Sequence, residues 1–340
     1  MKISVIIPTN RKEKLIDFEL PSFSRQTFPK EDFEIIIVDD HPEDRREQIE
    51  HFGKINGINL KWMRSKKPYY RTNANIGSAR NTGLIHAKGE LVTFIDDYSY
   101  VRPGYLESIW SAYKLNTGYC ILGPVISIEY ADPPYPDNID DLKIRSDDMR
   151  VRTISACYGK GDVVTKTSYK EQRYEVPNCP NNWFYTSNAS APLREIIKIN
   201  GFWEMADLTR EEDILLGLAL ERNGQKFSFI NNPEISVYHM VHDYHELLTN
   251  KKFKEISYEQ MGWATVNMEG RTVEGGGIGG KCGLNTGEDE IQLVTKDIYN
   301  TKYPGSWALI EHFNTHPEYI FNKETGFNLR DERRKAGNWM

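Results

Sequence analysis

Near the start of the chain, short apolar runs end abruptly in polar residues. Residues 2–8 (KISVIIP) are rich in β-branched side chains and closed by proline, residues 33–38 (FEIIIV) run into Asp39 and Asp40, and residues 91–95 (LVTFI) run into Asp96 and Asp97. Short runs without polar alternation read as strands buried on both faces of a parallel sheet. The C-terminal ends of such strands open onto a ligand crevice. Between the runs the spacing turns helical. Residues 13–27 place Leu15, Ile16, Phe18, Leu20 and Phe23 at helical intervals, with Pro21 predicting a kink or break. A polar helical stretch follows the second run, and residues 59–64 offer a third strand. Residues 76–87 predict a helix that stops at Lys88-Gly89. This order predicts an α/β fold with right-handed crossovers and a doubly wound, mostly parallel sheet. Its carboxyl edge would gather Thr9, Asp40, Asp96 and Asp97. A lone Asp pair after a strand reads equally as an Asp-capped turn, but convergence at one edge favours a crevice.

Farther along, residues 103–115 read as a helix and residues 119–130 (YCILGPVISIEY) as one strand. Residues 131–182 lose periodicity and suggest loops of the kind that fold over a substrate. Order resumes at 188–199, with a turn at Gly201-Phe202-Trp203-Glu204. Residues 210–222 (REEDILLGLALER) predict an amphipathic helix with Ile214, Leu215, Leu218 and Ala219 on one face and Asn223-Gly224 ending it. Short strands are expected at 227–230 and 235–238, with His239 after the second. Residues 274–283 (EGGGIGGKCG) are glycine-dense. They lack the spacing of a phosphate-cradling loop, since Cys282 stands where Ser or Thr is needed and no strand precedes them. The terminal NLRDERRKAGNWM reads as a solvated helix or tail.

Composition narrows the class. The 340 residues are 39% hydrophobic and 27% charged, which is ordinary for a soluble globular protein with a real core. A net charge of -6 argues against a general grip on nucleic acid. The four cysteines are scattered with no CxxC, so neither a zinc ribbon nor a disulfide framework is indicated, and a reducing cytoplasm is the expected location. No apolar run approaches 18 residues, so no transmembrane span or signal peptide is expected.

Taken together, SVIIPTNR, FEIIIVDD, NIGSARNTGLIHAKGELVTFIDD, and REEDILLGLALERNG followed by VYH resemble the nucleotide-sugar glycosyltransferases of the GT-A fold, in the large inverting family two. The resemblance spans residues 1–240. Residues 241–340 form a C-terminal extension that resembles nothing. It could complete an acceptor pocket, mediate oligomers or dock peripherally on a membrane.

The resemblance implies transfer of a sugar, with inversion, from a UDP- or GDP-sugar donor to a hydroxyl of a glycan, lipid-linked or other acceptor. Pro8, Thr9, Asn10, Arg11 and Asp40 fall at donor-binding positions, with Thr9 and Asp40 at the base and ribose. An ionised Asp accepts there from uracil N3–H or guanine N1–H. Arg71 and Arg80 are implied partners of the diphosphate; the plain alternative for Arg80 is a helix-surface arginine bonded to a carboxylate. Asp96 is implied at the ribose, and Asp97 with His239 at a Mn²⁺ or Mg²⁺ ion, with His242 and His245 as competitors. Here the chain departs from the family, because the last expected carboxylate falls on Tyr98 and a phenol is a poor ligand for hard cations. Either Asp97 takes the metal role, or the metal is weakly held, or arginines alone neutralise the diphosphate. Asp213 matches the catalytic base at a helix start, where the helix dipole would keep it ionised. No second catalytic carboxylate is needed, because the leaving group is already activated. Trp203 and Trp183 read as a floor for the acceptor sugar or as core. Two other functions stay open. A nucleotidylyltransferase would need a glycine-rich loop after the first strand, which PTNRKEKL lacks. A catalytically weak or silent nucleotide- or glycan-binding module is left room by Tyr98.

Overall fold

The computed structural model describes residues 1–10, 14–66, 76–131, 133–136, 138–146, 148, 174–204, 212–240, 321–322 and 326–338. Its strands in chain order are β1 (Ile3–Thr9), β2 (Phe33–Asp39), β3 (Leu60–Met63), β4 (Leu91–Phe94), β5 (Ser99–Val101), β6 (Tyr119–Leu122), β7 (Val125–Ile128), β8 (Ile144–Ser146), β9 (Tyr174–Pro177), β10 (Ala189–Pro192), β11 (Lys226–Asn231) and β12 (Val237–Met240). The helices are α1 (Leu20–Ser24), α2 (Arg46–Asn56), α3 (Ile76–His86), α4 (Tyr105–Leu115), α5 (Leu193–Lys198), α6 (Glu212–Arg222) and α7 (Leu329–Lys335).

Every residue of β1 and β2 is buried, as their unbroken apolar runs require. Successive side chains alternate faces. Ile6 and Ile36 enter a core shared with Leu84, Ile196, Leu216 and Leu329, whereas Val5, Ile7 and Ile35 enter one shared with Phe23, Ile49 and Ile109. The large sheet runs β3-β2-β1-β4-β10-β6-β11-β9. It is parallel from β3 to β4 and again between β6 and β11, while β10 and β9 run antiparallel to their neighbours. A smaller sheet, β5-β12-β7-β8, sits beside it.

Three expectations need correction. The single strand over 119–130 is two strands in different sheets. At Gly123 an added Cβ would lie 2.5 Å from both Asn188 Nδ2 and the Ile235 carbonyl oxygen. Asn188 Nδ2 also donates to the Pro124 carbonyl (2.8 Å), so Gly123-Pro124 is the pinned corner where the chain changes sheet. The buried face of α6 is Leu215, Leu216, Ala219 and Leu220, and Ile214 and Leu218 are only half-buried. The terminal helix is not solvated all round. Leu329 and Arg333, four residues apart and so on one face of α7, are buried. Arg333 Nη1 donates to the carbonyls of Leu84 (2.5 Å) and Ala87 (2.8 Å), and Asn338 Nδ2 donates to Ile85 (2.9 Å). These side chains satisfy the carbonyls that the end of α3 leaves unpaired.

The break at Pro21 appears as expected. A π-helical turn over Leu15–Glu19 runs into α1, which carries Pro21 in its first turn. The glycine-dense 274–283 stretch and most of the expected loop 131–182 lie outside the described residues.

Candidate active site at the carboxyl edge of the sheet

The ends of β1, β2 and β4 meet at one edge. Thr9 Oγ1, at the end of β1, donates to Asp97 Oδ2 at 3.0 Å. Pro8 lies within β1 opposite Val38, and Asn10 is exposed just beyond the strand. Arg11 and Arg71 lie outside the described residues. The adjacent aspartates after β2 divide sharply. Asp39 is fully buried and takes Arg45 through both oxygens (2.7 and 3.0 Å) and Trp62 Nε1 at 3.1 Å. Asp40 is half-buried at the rim, where its carboxylate receives the Ser65 hydroxyl (2.5 Å) and backbone N–H (3.1 Å).

After β4 the chain turns at Asp96-Asp97-Tyr98. Tyr98 has φ 65°, a left-handed conformation uncommon for a bulky residue, and is 3% exposed. Its ring packs with Phe18, Tyr100, Ile126 and Tyr238, while Asp96 and Asp97 stay half-exposed. The phenol is therefore core, and the carboxylates available at this edge are Asp96 and Asp97. The small sheet brings β12 alongside, with His239 opposite Ser99. Tyr238 and Met240 share the Tyr98 cluster, so His239, between them on the strand, is on the other face. His242 and His245 lie outside the described residues.

Behind this turn is Glu19, fully buried, with no donor at hydrogen-bonding geometry on either carboxyl oxygen. Burial, then the carboxylates of Asp97 and Asp96, push its carboxyl well above the usual range, against a smaller downward pull from the nearby Ser99 and Tyr98 backbones. The native state thus holds this proton more tightly than the unfolded chain does. Glu19 accordingly withdraws stability as pH rises from the ordinary carboxyl value through its raised one. Glu19→Gln should raise the melting temperature more at pH 8 than at pH 5 in paired thermal scans. An equal shift at both pH values would contradict this.

On the other wall, Arg80 projects from α3 and is 3% exposed. Nη1 meets Glu212 Oε1 at 2.5 Å and Nη2 meets Asp96 Oδ1 at 3.0 Å, with the guanidinium 5.5 Å from the Phe202 ring. Burial lowers the affinity of this group for its proton, but the carboxylates of Glu212, Asp96 and Asp213 outweigh it and the net shift is upward. Asp213 stands at the start of α6, where Oδ1 accepts from the Ile214 N–H (2.7 Å). The helix N-terminus does not hold it ionised as expected. Burial first, then Glu212, raise its carboxyl to about 8, with Arg80 and the Ile214 N–H pulling the other way and Asp96 adding a further rise.

Sequence reasoning did not single out Glu212, Asn81 or the Lys66–Glu204 pair (2.6 Å). Asn81 Nδ2 donates to the Phe202 carbonyl and Glu204 Oε1, and its Oδ1 accepts from the Phe202 N–H. The Ala-Arg-Asn-x-Gly segment thus has a division of labour: Arg80 reaches the carboxylates, Asn81 clamps the 201–204 turn, and Gly83 lets α3 lie on β1. A Cβ at Gly83 would fall 2.5 Å from Ile6 Cγ2. The only sequence signal for Glu212 was its place in the Glu211-Glu212-Asp213 run. Trp203 is core, 2% exposed and stacked on Phe321 (centroids 5.9 Å, planes 6° apart). Trp183 is half-buried, edge-on to Phe229.

An open, doubly wound sheet with carboxylates and a buried arginine at its carboxyl edge is the architecture of α/β proteins, whose ligands as a rule sit at that edge. The family model for "Glycosyl transferase family 2" matches residues 4–173, half of the chain, and the chain belongs to that family. It carries the mixed α/β, GT-A arrangement. The chain is 28% identical over 229 residues to validoxylamine A glucosyltransferase of Streptomyces hygroscopicus subsp. limoneus, covering 65% of this chain and 48% of that one. It is 39% identical over 107 residues to the poly(ribitol-phosphate) beta-N-acetylglucosaminyltransferase TarS of Staphylococcus aureus, covering 32% of this chain and 18% of TarS. The crystal structure of S. aureus TarS 1-349 in complex with UDP-GlcNAc aligns with a TM-score of 0.49 at 22% identity, covering 75% of this chain and 64% of that one. The chain spans about half the length of the validoxylamine relatives it matches.

Proposed function

We propose that residues 1–240 form a glycosyltransferase domain that moves a sugar, with inversion, from a UDP- or GDP-sugar to a hydroxyl of a glycan, lipid-linked or other acceptor. One observation carries the reading: a single guanidinium, Arg80, joins Asp96 on the donor edge to Glu212, next to Asp213. The link supports a reading in which Asp213 would serve the acceptor as base and Asp96 the donor across one crevice. The names of the relatives, a glucosyltransferase and an N-acetylglucosaminyltransferase, favour a gluco-configured sugar.

Thr9 and Asp40 would receive the base and ribose, with Pro8 and Asn10 shaping that end and Asp96 at the ribose. Arg11 and Arg71 would meet the diphosphate. Ionised Asp213 takes the acceptor proton as the acceptor oxygen bonds to the anomeric carbon, the bond from that carbon to the diphosphate breaks, and the nucleoside diphosphate departs. Most of the rate would come from orienting the two substrates.

Among the described residues, no group of three or more His, Cys, Asp or Glu side chains could hold a metal between them. That fits a Mn²⁺ or Mg²⁺ shared with substrate, since such ions are bound through one or two carboxylates plus phosphate oxygens. Asp97, with His239 on the adjoining strand, would supply the protein ligands, and the ion would offset charge on the leaving diphosphate. Asp96 and Asp97 stay half-exposed at this turn, where a cation shared with substrate could reach their oxygens. Among the described residues no helix is long and apolar enough to cross a membrane. Cys120 and Cys179 are buried thiols outside any disulfide, which suits a reducing cytoplasm.

The test is incubation with a panel of UDP- and GDP-sugars and hydroxyl acceptors, with Mn²⁺ or a chelator, reading nucleoside diphosphate release and the product anomer by NMR. Release of UDP or GDP with an inverted product is expected. Asp97→Asn should raise the Mn²⁺ concentration for half-maximal rate on the order of ten- to a hundredfold. Binding without turnover would favour the silent module, and pyrophosphate chemistry the nucleotidylyltransferase.

A further inference from the structure

We infer that Arg80 and Glu212 are positioning residues: Arg80 does not grip the donor diphosphate but ties the base-bearing helix α6 to the donor-edge carboxylate Asp96. The inference rests on the proposed transferase reading for what α6 carries. The tie itself is seen directly.

Each terminal nitrogen of Arg80 is held by a carboxylate. Nη1 is on Glu212 at 2.5 Å and Nη2 on Asp96 at 3.0 Å, and the guanidinium lies against the Phe202 ring. Nε is buried with no acceptor. A guanidinium is a planar, rigid fork, so two bonds from its two ends fix the separation of the two carboxylates. A lysine in its place could hold one of them but not set the distance between them. The Arg80 side chain is only 4% exposed, so turning it out to a diphosphate would draw it off Glu212, itself 8% exposed, and leave an unpaired buried charge. A flexible donor-binding arginine would instead be expected at the crevice mouth with its carboxylate partners solvated.

The neighbour on α3 does matching work. Asn81 holds the 201–204 turn through both Phe202 backbone groups. That turn precedes α6 in the chain, and Arg80 holds the first turn of α6. One helix therefore secures the segment bearing Asp213 at two places, and its other end is capped by Arg333. The spatial relation between donor and base is set by α3.

The experiment compares Arg80→Lys and Glu212→Gln with wild type in the full chain. It reads UDP and UDP-sugar affinity by calorimetry, kcat and KM for transfer, and folding by near-UV circular dichroism. Both variants should lower kcat on the order of a hundredfold, the scale of a roughly 1 Å misplacement, while donor Kd stays within about threefold. If Arg80→Lys instead weakens donor binding about tenfold or more and keeps kcat at saturating donor, Arg80 grips the diphosphate and the inference is wrong. Should Arg80→Lys fail to fold, Glu212→Gln decides alone, because it removes the charge that holds Arg80 Nη1 and the inference places it away from the donor. An unchanged kcat in that variant overturns the inference. A wild-type chain that binds UDP but transfers no sugar would remove the transferase reading. The affinity arm would then decide the role of Arg80 alone, unchanged donor Kd in Arg80→Lys supporting the tie and weakened Kd refuting it.

Discussion

Asp213→Asn should reduce sugar transfer by about 10²–10⁴, the usual contribution of a positioned general base, with donor affinity preserved. Asparagine keeps the shape and can still accept from the Ile214 N–H, so α6 should start in the same place. What it cannot do is take a proton. Glu212 next door cannot substitute, because its carboxylate is bound by Arg80 and nearly buried. The same residue sets the pH profile. A base works only when ionised, and burial together with Glu212 raises this carboxyl to about 8. The rate constant kcat/KM should therefore climb with pH and level off near 8, falling about tenfold per unit below it. The helix dipole cannot reverse this, being worth about 1 kcal/mol, less than one pKa unit. A profile already flat from pH 6 upward, or an active Asp213→Asn variant, would remove Asp213 as the base.

Arg333→Met should destabilise the fold by about 2–4 kcal/mol, lowering the melting temperature by several degrees. Its guanidinium closes the end of α3 by donating to the carbonyls of Leu84 and Ala87. Methionine fills much of the volume but leaves these two buried carbonyls unpaired, at about 1–3 kcal/mol each, partly offset by no longer burying a cation. Burial does lower the hold of Arg333 on its proton, the mark of that cost. Because α3 carries Arg80 and Asn81, activity should fall at temperatures where the fold still persists. Chemical denaturation checks the first claim and a rate-versus-temperature series the second. A variant as stable as wild type would mean that α7 merely rests on the surface.

The extension also reaches the site by another route. Asn322 Nδ2 donates to the Phe202 carbonyl (2.8 Å), and its Oδ1 accepts from Glu204 N–H (2.9 Å). Asn200 in turn donates to the carbonyls of Phe321 and Phe327. Phe321, Asn322 and Phe327 are thus packed against the same turn that Asn81 clamps.

Strands β1, β2 and β4 and helix α3 were readable from the chain alone because each is governed by local pattern. Unbroken apolar runs demand burial on both faces, and Lys88-Gly89 follows the end of α3 closely. The gathering of Thr9, Asp96 and Asp97 followed from strand order, since parallel strands joined by right-handed crossovers put their carboxyl ends on one edge. The choice among chemically equal residues was not readable. Asp39 and Asp40 are neighbours of one type, yet one is fully buried on Arg45 and the other stands at the rim. Tyr98 had the spacing of a ligand, and only the left-handed turn and the aromatic cluster of the small sheet send its ring into the core. The pairing of Arg80 with Glu212, far away in sequence, is likewise a contact that no local pattern announces. Local periodicity fixes which segments become strands and helices and in what order they stack. Which polar group is paired, buried or left at the crevice depends on partners brought in from distant parts of the chain, because the cost of burying a charge is set by what lies across from it.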